Sequence, residues 1–229
     1  MKAAWRGKAL RTGMNWSLPN QLTVARILIS GAFFVLLALY APSSSGTAGL
    51  LNVALVLYLI AGITDILDGY LARKMNVVSA FGRIADPFVD KVLVVGAFAM
   101  LSGSNYALSQ APWATPENQL PTWMTGAMAS GVQAWMVVVI LAREFIVSAV
   151  RGYSESQGIK FPASPAGKIK MFVQSAAICA ILCQMANLPK AQWAMWAKVS
   201  LVWLATIVTV LSGLVYVKSA RSLFRITHE

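Results

Sequence analysis

Six stretches of the chain are apolar for long enough to cross a lipid bilayer. The first runs from Ile27 to Ala41 behind the lead-in SLPNQLTVAR. The others cover Ala48 to about Arg73, Gly82 to about Ser104, Trp123 to about Gly152, Gly167 to about Asn187, and Ala194 to Val217. Pro19 and Asn20 are helix-opening residues, so the first helix is expected to start there and continue into its apolar run. With its lead-in, each stretch reaches roughly 20 residues, enough to span about 30 Å of hydrocarbon at about 1.5 Å per residue. The pattern predicts an all-α, polytopic integral membrane protein with six transmembrane helices. A cleaved signal peptide is the competing reading of the first run, which is short and followed by APSSSG. Its basic lead of about 26 residues is long for a signal.

Composition agrees, since the chain is 58% hydrophobic and only 12% charged, too apolar for a surface that faces water. The formal charge of +11 would indicate nucleic acid only if it formed a basic stripe on a soluble domain. Instead the cations sit in short segments between apolar runs, so no nucleic-acid partner is expected and the charges report topology. With six spans, one side carries the N-terminus, the links Arg73–Arg83 and Arg151–Lys168, and the tail Lys218–Arg225. Those segments and the adjoining helix ends hold every Lys and Arg except Lys190 and Lys198. Both termini are therefore expected in the cytoplasm. The loop Ser104–Thr122, with Pro112, Pro116 and Pro121 and Glu117 as its only charge, would face outward. Trp113, Trp123, Trp193 and Trp196 then form an outer aromatic belt, or fill core.

The expected organisation is a basic extension over 1–17, a membrane domain over 18–219 and a basic cytoplasmic tail over 220–229. In the extension, Lys2, Arg6, Lys8 and Arg11 interleave with Trp5, Leu10 and Trp16, a pattern that suits an anionic membrane face or has no fixed contact. Cys179 and Cys183, one turn apart in an apolar run, read as a thiol metal site or, more plainly, as small packed hydrophobes. His228 lies in the tail, which leaves no histidine for buried chemistry.

Acid is scarce, and half of the chain's 8 acidic residues, Asp65, Asp68, Asp86 and Asp90, fall in the window DILDGYLARKMNVVSAFGRIADPFVD. On helices, spacings of three and four residues share a face, so two helices meeting here would aim four carboxylates at one point. Such a cluster is a hard-oxygen site for Mg²⁺ or a similar divalent cation. The apolar run before Asp65 spans about 25 Å, which puts Asp65 and Asp68 near the cytoplasmic edge of the membrane. Bound metal would relieve the mutual repulsion of the four; an ion-pair network with Arg73, Arg83 or Lys91 is the alternative. Gly69 and Gly82 allow close approach of a backbone or ligand, and Arg73 is placed to meet phosphate oxygens. Metal-binding carboxylates, small residues and an arginine are the parts of phosphoryl-transfer machinery. A cation transporter is the reading from another class. Against it, the carboxylates gather at one interface and no inverted repeat is evident.

At every fixed position, Asp65-x2-Asp68-Gly69-x2-Ala72-Arg73-x8-Gly82-x3-Asp86-x3-Asp90 resembles the signature of the CDP-alcohol phosphatidyltransferases. The segments LPNQLTVAR, AREFIVSAVR and AGKIKMFVQ resemble those of the phosphatidylglycerophosphate synthases in that family, and the likeness spans nearly all of Leu18 to Ser219. The resemblance implies a homodimeric six-helix enzyme of the inner membrane with its site open to the cytoplasmic leaflet. It implies that Asp65, Asp68, Asp86 and Asp90 hold two ions of Mg²⁺ or Mn²⁺, with Asp90 also the base. Gly69, Ala72, Arg73 and Gly82 would contact the CDP portion, helped by Ser79, Asn20 and Thr23. The implied reaction is attack of an acceptor hydroxyl on the lipid-side phosphorus of CDP-diacylglycerol, releasing CMP.

The signature speaks to the donor and leaves the acceptor open. Arg143, Arg151, Lys168 and Lys170 lie at the other cytoplasmic helix ends. Arg143 follows a long apolar run and is costly to bury, so it calls for an anionic ligand or for pairing with Glu144. Lys168 sits in the first turn of the fifth span, where the helix dipole favours anions. Arg143 and Lys168 together suggest a phosphate pocket and hence sn-glycerol 3-phosphate as acceptor; inositol phosphate and phosphatidylglycerol are the alternatives. Topology and lipid-headgroup contacts are the plainer reading of these cations, more so for Arg151 and Lys170.

Overall fold

The computed structural model describes the backbone of residues 18–42, 46–75, 80–114, 120–157 and 165–226, and the side chains of 21–42, 46–67, 88–114, 120–154, 156–157 and 167–218. Among these the protein is helical, with α1 (Leu18–Leu39), α2 (Ala48–Met75), α3 (Ala80–Leu101), the single turn α4 (Thr122–Thr125), α5 (Ala134–Ser156), α6 (Pro165–Asn187) and α7 (Gln192–Ile226). Helix α1 packs on α2, α2 on α6, α6 on α7, α7 on α5, α5 on α3, and α3 back on α1. The six long helices thus close a ring, and α3 also touches α6 across it.

Among the described residues, four helical segments are apolar and long enough to cross a membrane: Gln21–Leu39, Ala48–Leu67, Gly167–Asn187 and Gln192–Lys218. Their outward faces are apolar too, with Leu28, Leu39, Val53, Ile63, Ile207 and Leu214 all exposed. So much exposed aliphatic surface on long helices suits a lipid environment and is costly in water.

Two expected boundaries shift. The span expected from Trp123 is interrupted: α4 ends at Gly126 in the left-handed region with φ 60°, Gly131 follows at φ 77°, and α5 begins only at Ala134. Glycine tolerates such backbone angles, and its recurrence in TGAMASGVQ stops the helix. The helix of the expected sixth span, Ala194 to Val217, is longer in the structure, where α7 runs from Gln192 to Ile226.

The buried stripes of α1, α2, α5 and α6 change character along their length. In α1 the buried positions are Thr23, Arg26, Ser30, Phe33 and Leu37, with Tyr40 just past its end, a helical three-and-four spacing that is polar in its first half and apolar in its second. Helix α2 runs the other way, from Leu51, Ala54, Tyr58 and Ala61 towards Asp65. The same reversal holds for α5, from Met136 and Ile140 to Arg143 and Glu144. Helix α6 follows α1, from the polar Lys170 and Gln174 to the apolar Ile178 and Leu182. Along these four helices the buried ionic groups gather at one end, and the stripe beyond it is mostly apolar.

The opposite end is closed by hydrogen bonds. Asn52 and Asn187 exchange side-chain amide bonds of 3.1 and 2.8 Å. The Tyr106 hydroxyl donates 2.9 Å to the Leu37 carbonyl, one of the last carbonyls of α1, which lack intrahelical partners. Burial pushes the Tyr106 phenol above its ordinary value, so it stays a donor at any pH of interest. Lys198, placed on the outer side by its sequence position, is buried and donates to the Ala129 carbonyl and Gln184 Oε1. Tyr106→Phe should lower stability by about 1–2 kcal/mol, since it strands a buried acceptor. Thermal unfolding in detergent measures this, and an unchanged midpoint would show the bond to be dispensable.

Candidate active site

The polar end of the ring brings together the start of α1, the end of α2, the start of α3, the end of α5, the start of α6 and the end of α7. Two ionic groups form there.

The first joins α1 to α2. Arg26, 1% exposed, donates through Nη1 to Asp65 Oδ1. Thr23, a predicted contributor, is buried one turn earlier on the same stripe. A guanidinium in a bundle interior needs a compensating anion, and Asp65 supplies it. Arg26 is absent from the sequence-derived site because it reads as the last cation of the basic lead. Its interruption of the otherwise apolar LTVARILIS was the available signal.

The second joins α5, α6 and α7. Glu144 Oε1 accepts from Arg143 Nη1 at 3.1 Å and from Lys170 Nζ, and all three residues are buried. Arg143 also donates through Nε to Ser212 Oγ at 3.2 Å, and its guanidinium lies 5.3 Å from the centre of the Tyr216 ring. Gly213 makes this possible, because a Cβ there would come within 3.1 Å of Arg143 Cγ. Nearby, Gln174 Nε2 donates 2.9 Å to Thr209 Oγ1. Lys91, next in sequence to Asp90, donates to Ser148 Oγ, whose own proton goes to the Glu144 carbonyl.

Asp90, half-buried on α3, feels the charges of Asp65 and Arg26 in the first group and of Lys170 and Glu144 in the second. An apolar cleft of about 480 Å³ between α3 and α5 borders these residues, lined by Phe88, Val92, Leu141 and Phe145 with Lys91 and Glu144 at its polar margin.

The expected acceptor cations separate. Lys168 is exposed, whereas Lys170 is the lysine joined to Arg143 through Glu144. Two residues along a helix is more than half a turn, so Lys168 and Lys170 do not share a face. Arg151 is exposed, yet its Nη2 comes within 3.5 Å of the Tyr216 hydroxyl. Arg143 and Arg151, two turns apart, thus approach one tyrosine that sequence reasoning did not single out.

The expected metal and nucleotide residues are described only in part. Asp68, Gly69, Ala72 and Arg73 lie within α2, and Gly82 and Asp86 within α3, but their side chains fall outside the described residues, as does that of Asn20 on α1. Ser79 falls outside altogether. Among the described residues no three potential ligands cluster. Asp65 and Asp90 are nonetheless oxygen donors of the type that hard divalent ions take, on two helices each carrying a further aspartate.

Removing the Glu144 charge would leave two buried cations facing each other. Glu144→Gln should cost about 3–5 kcal/mol. The double variant Glu144→Gln/Lys170→Met should recover part of that loss, because it deletes a cation as well. Thermal or denaturant unfolding of the single and double variants tests this, and purely additive losses would contradict it.

Residues 16–211 match the family model of CDP-alcohol phosphatidyltransferase. The CDP-diacylglycerol–glycerol-3-phosphate 3-phosphatidyltransferase of Bacillus subtilis (strain 168) is 32% identical over 214 residues, covering 88% of this chain and 93% of that protein. Proteins of the same name from Rickettsia felis and Escherichia coli (strain K12) are each 28% identical, over 208 and 211 residues; each match covers 91% of this chain and 97% of the relative.

Proposed function

The chain belongs to the CDP-alcohol phosphatidyltransferase family, and from that premise we propose that it transfers the phosphatidyl group of CDP-diacylglycerol to sn-glycerol 3-phosphate, giving phosphatidylglycerophosphate and CMP. The reading is supported by Asp90 feeling the charges of Asp65, Glu144 and Lys170, with Glu144 itself held by Arg143 and Lys170. The naming of the relatives supports the choice of acceptor.

In this reading Asp65, Asp68, Asp86 and Asp90 hold two divalent cations, Mg²⁺ or Mn²⁺, which when bound neutralise the charge developing on the pyrophosphate. Gly69, Ala72, Arg73 and Gly82 receive the CDP portion, with Ser79, Asn20 and Thr23 beside them. Asp90 takes the proton from the acceptor hydroxyl as the hydroxyl oxygen attacks the lipid-side phosphorus, and CMP leaves. Arg143 and Lys170 supply the charge that attracts the acceptor phosphate: two cations against the one Glu144 carboxylate leave a positive excess in a site of low dielectric. Arg151 and Lys168, being exposed, serve as the outer part of the same attraction.

The same reading makes the protein a homodimer in the cytoplasmic membrane, with six spans, both termini and the active site on the cytoplasmic side. Residues 1–17 form a basic extension, 18–219 the catalytic membrane domain and 220–229 the tail.

Purified protein supplied with radiolabelled CDP-diacylglycerol should release CMP with glycerol 3-phosphate and Mg²⁺, and chelation with EDTA should abolish turnover. Asp90→Asn should lower kcat by about 10²–10⁴, the usual contribution of a general base, while metal-dependent CDP binding persists. Turnover with inositol phosphate or phosphatidylglycerol and none with glycerol 3-phosphate would reassign the acceptor. Ion flux into proteoliposomes without CMP formation would overturn the transferase reading itself.

A further inference from the structure

The Arg26–Asp65 pair has a consequence for the metal reading on which this inference rests. Asp65 is the first carboxylate of the acidic signature, and its partner is a guanidinium on another helix, 1% exposed and held in the buried stripe of α1 between Thr23 and Ser30. Asp90, on a third helix, also interacts electrostatically with Arg26. A fixed positive charge therefore sits within reach of carboxylates from both arms of the acidic window.

Carboxylates crowded in an apolar bundle repel one another, and the repulsion is strong because the dielectric is low. A neighbouring cation removes part of that cost without any bound ion. The same cation repels an incoming divalent ion and must share the carboxylate with it. Both effects follow from one charge, so a gain in stability without metal and a loss in affinity for metal are two sides of one equilibrium. We propose that Arg26 is the resident counter-cation of the acidic site, stabilising Asp65 in the metal-free protein and setting how tightly the site takes a divalent ion. Arg26 is a positioning residue in this scheme: it acts on the site through Asp65 and touches neither substrate nor leaving group.

The test is Mn²⁺ binding to the full-length protein in detergent, read by electron paramagnetic resonance of free Mn²⁺ and by thermal unfolding with and without the ion. Arg26→Gln should bind Mn²⁺ about tenfold more tightly than wild type, the scale expected for removal of one nearby unit charge in a partly shielded site. It should also unfold at lower temperature without Mn²⁺ and recover most of that loss with it. Arg26→Lys, which keeps the charge, should stay within about twofold of the wild-type affinity. An unchanged or weaker affinity in Arg26→Gln, with equal destabilisation in both conditions, would reduce Arg26 to a purely structural role and overturn the inference while leaving the metal reading intact. So would a lysine variant that behaves like the glutamine one. Wild-type protein that takes up no Mn²⁺ would overturn the metal reading and this inference with it. Should Arg26→Gln be recoverable only in Mn²⁺ buffer, the dependence on metal is the expected result; failure of both variants in either buffer would count against the counter-cation role.

Discussion

Charge buried among hydrocarbon must be compensated where it lies, and that constraint shapes the polar end of this bundle. Arg26 is matched by Asp65, and Glu144 is matched by Arg143 and Lys170. The Arg26–Asp65 and Lys170–Glu144 pairs each bridge two helices, so compensation also sets how the helix ends converge. A single unmatched member would cost several kcal/mol, which makes the ionic contacts mutually dependent. Asp90 on α3 feels the charges of both groups.

The remainder of the interior does a different task. Phe33, Leu37, Leu51, Phe98, Ile178 and Leu182 are fully buried, and tyrosine and asparagine hydrogen bonds close the end remote from the charges. Close-packed side chains deform little, so this half acts as a rigid frame from which the polar helix ends project. Under the proposed reaction the frame lies in the lipid and the polar end meets water, where a soluble alcohol and a lipid donor both have access.

Lys198 shows how the same constraint operates away from the site. Buried at the remote end, its ammonium is met by neutral oxygens, the Ala129 carbonyl and the Gln184 amide, which tie the segment before α5 to α6 and α7. Hydrogen bonds donated to neutral acceptors satisfy the lysine's N–H groups without supplying a counter-charge, which fits a structural latch better than a reactive centre.

The linear pattern of apolar runs was sufficient for the all-helical character and for where most long helices lie, because bilayer-length hydrophobic segments are encoded residue by residue. The acidic window was equally legible, since four aspartates in a chain so poor in acid stand out without any fold. Partnerships across the ring were not. Arg26 lies 39 residues from Asp65 and Lys170 lies 26 from Glu144, and no local spacing rule connects them. Whether Lys168 or Lys170 enters the bundle depends on the rotation of α6 about its axis, which its neighbours α2 and α7 set. The interruption at Gly126 and Gly131 was hidden by an apolar composition that continues through it. Sequence determined which residues were available for chemistry, and tertiary packing decided which of them meet, because helix rotation and helix adjacency are properties of the assembled ring.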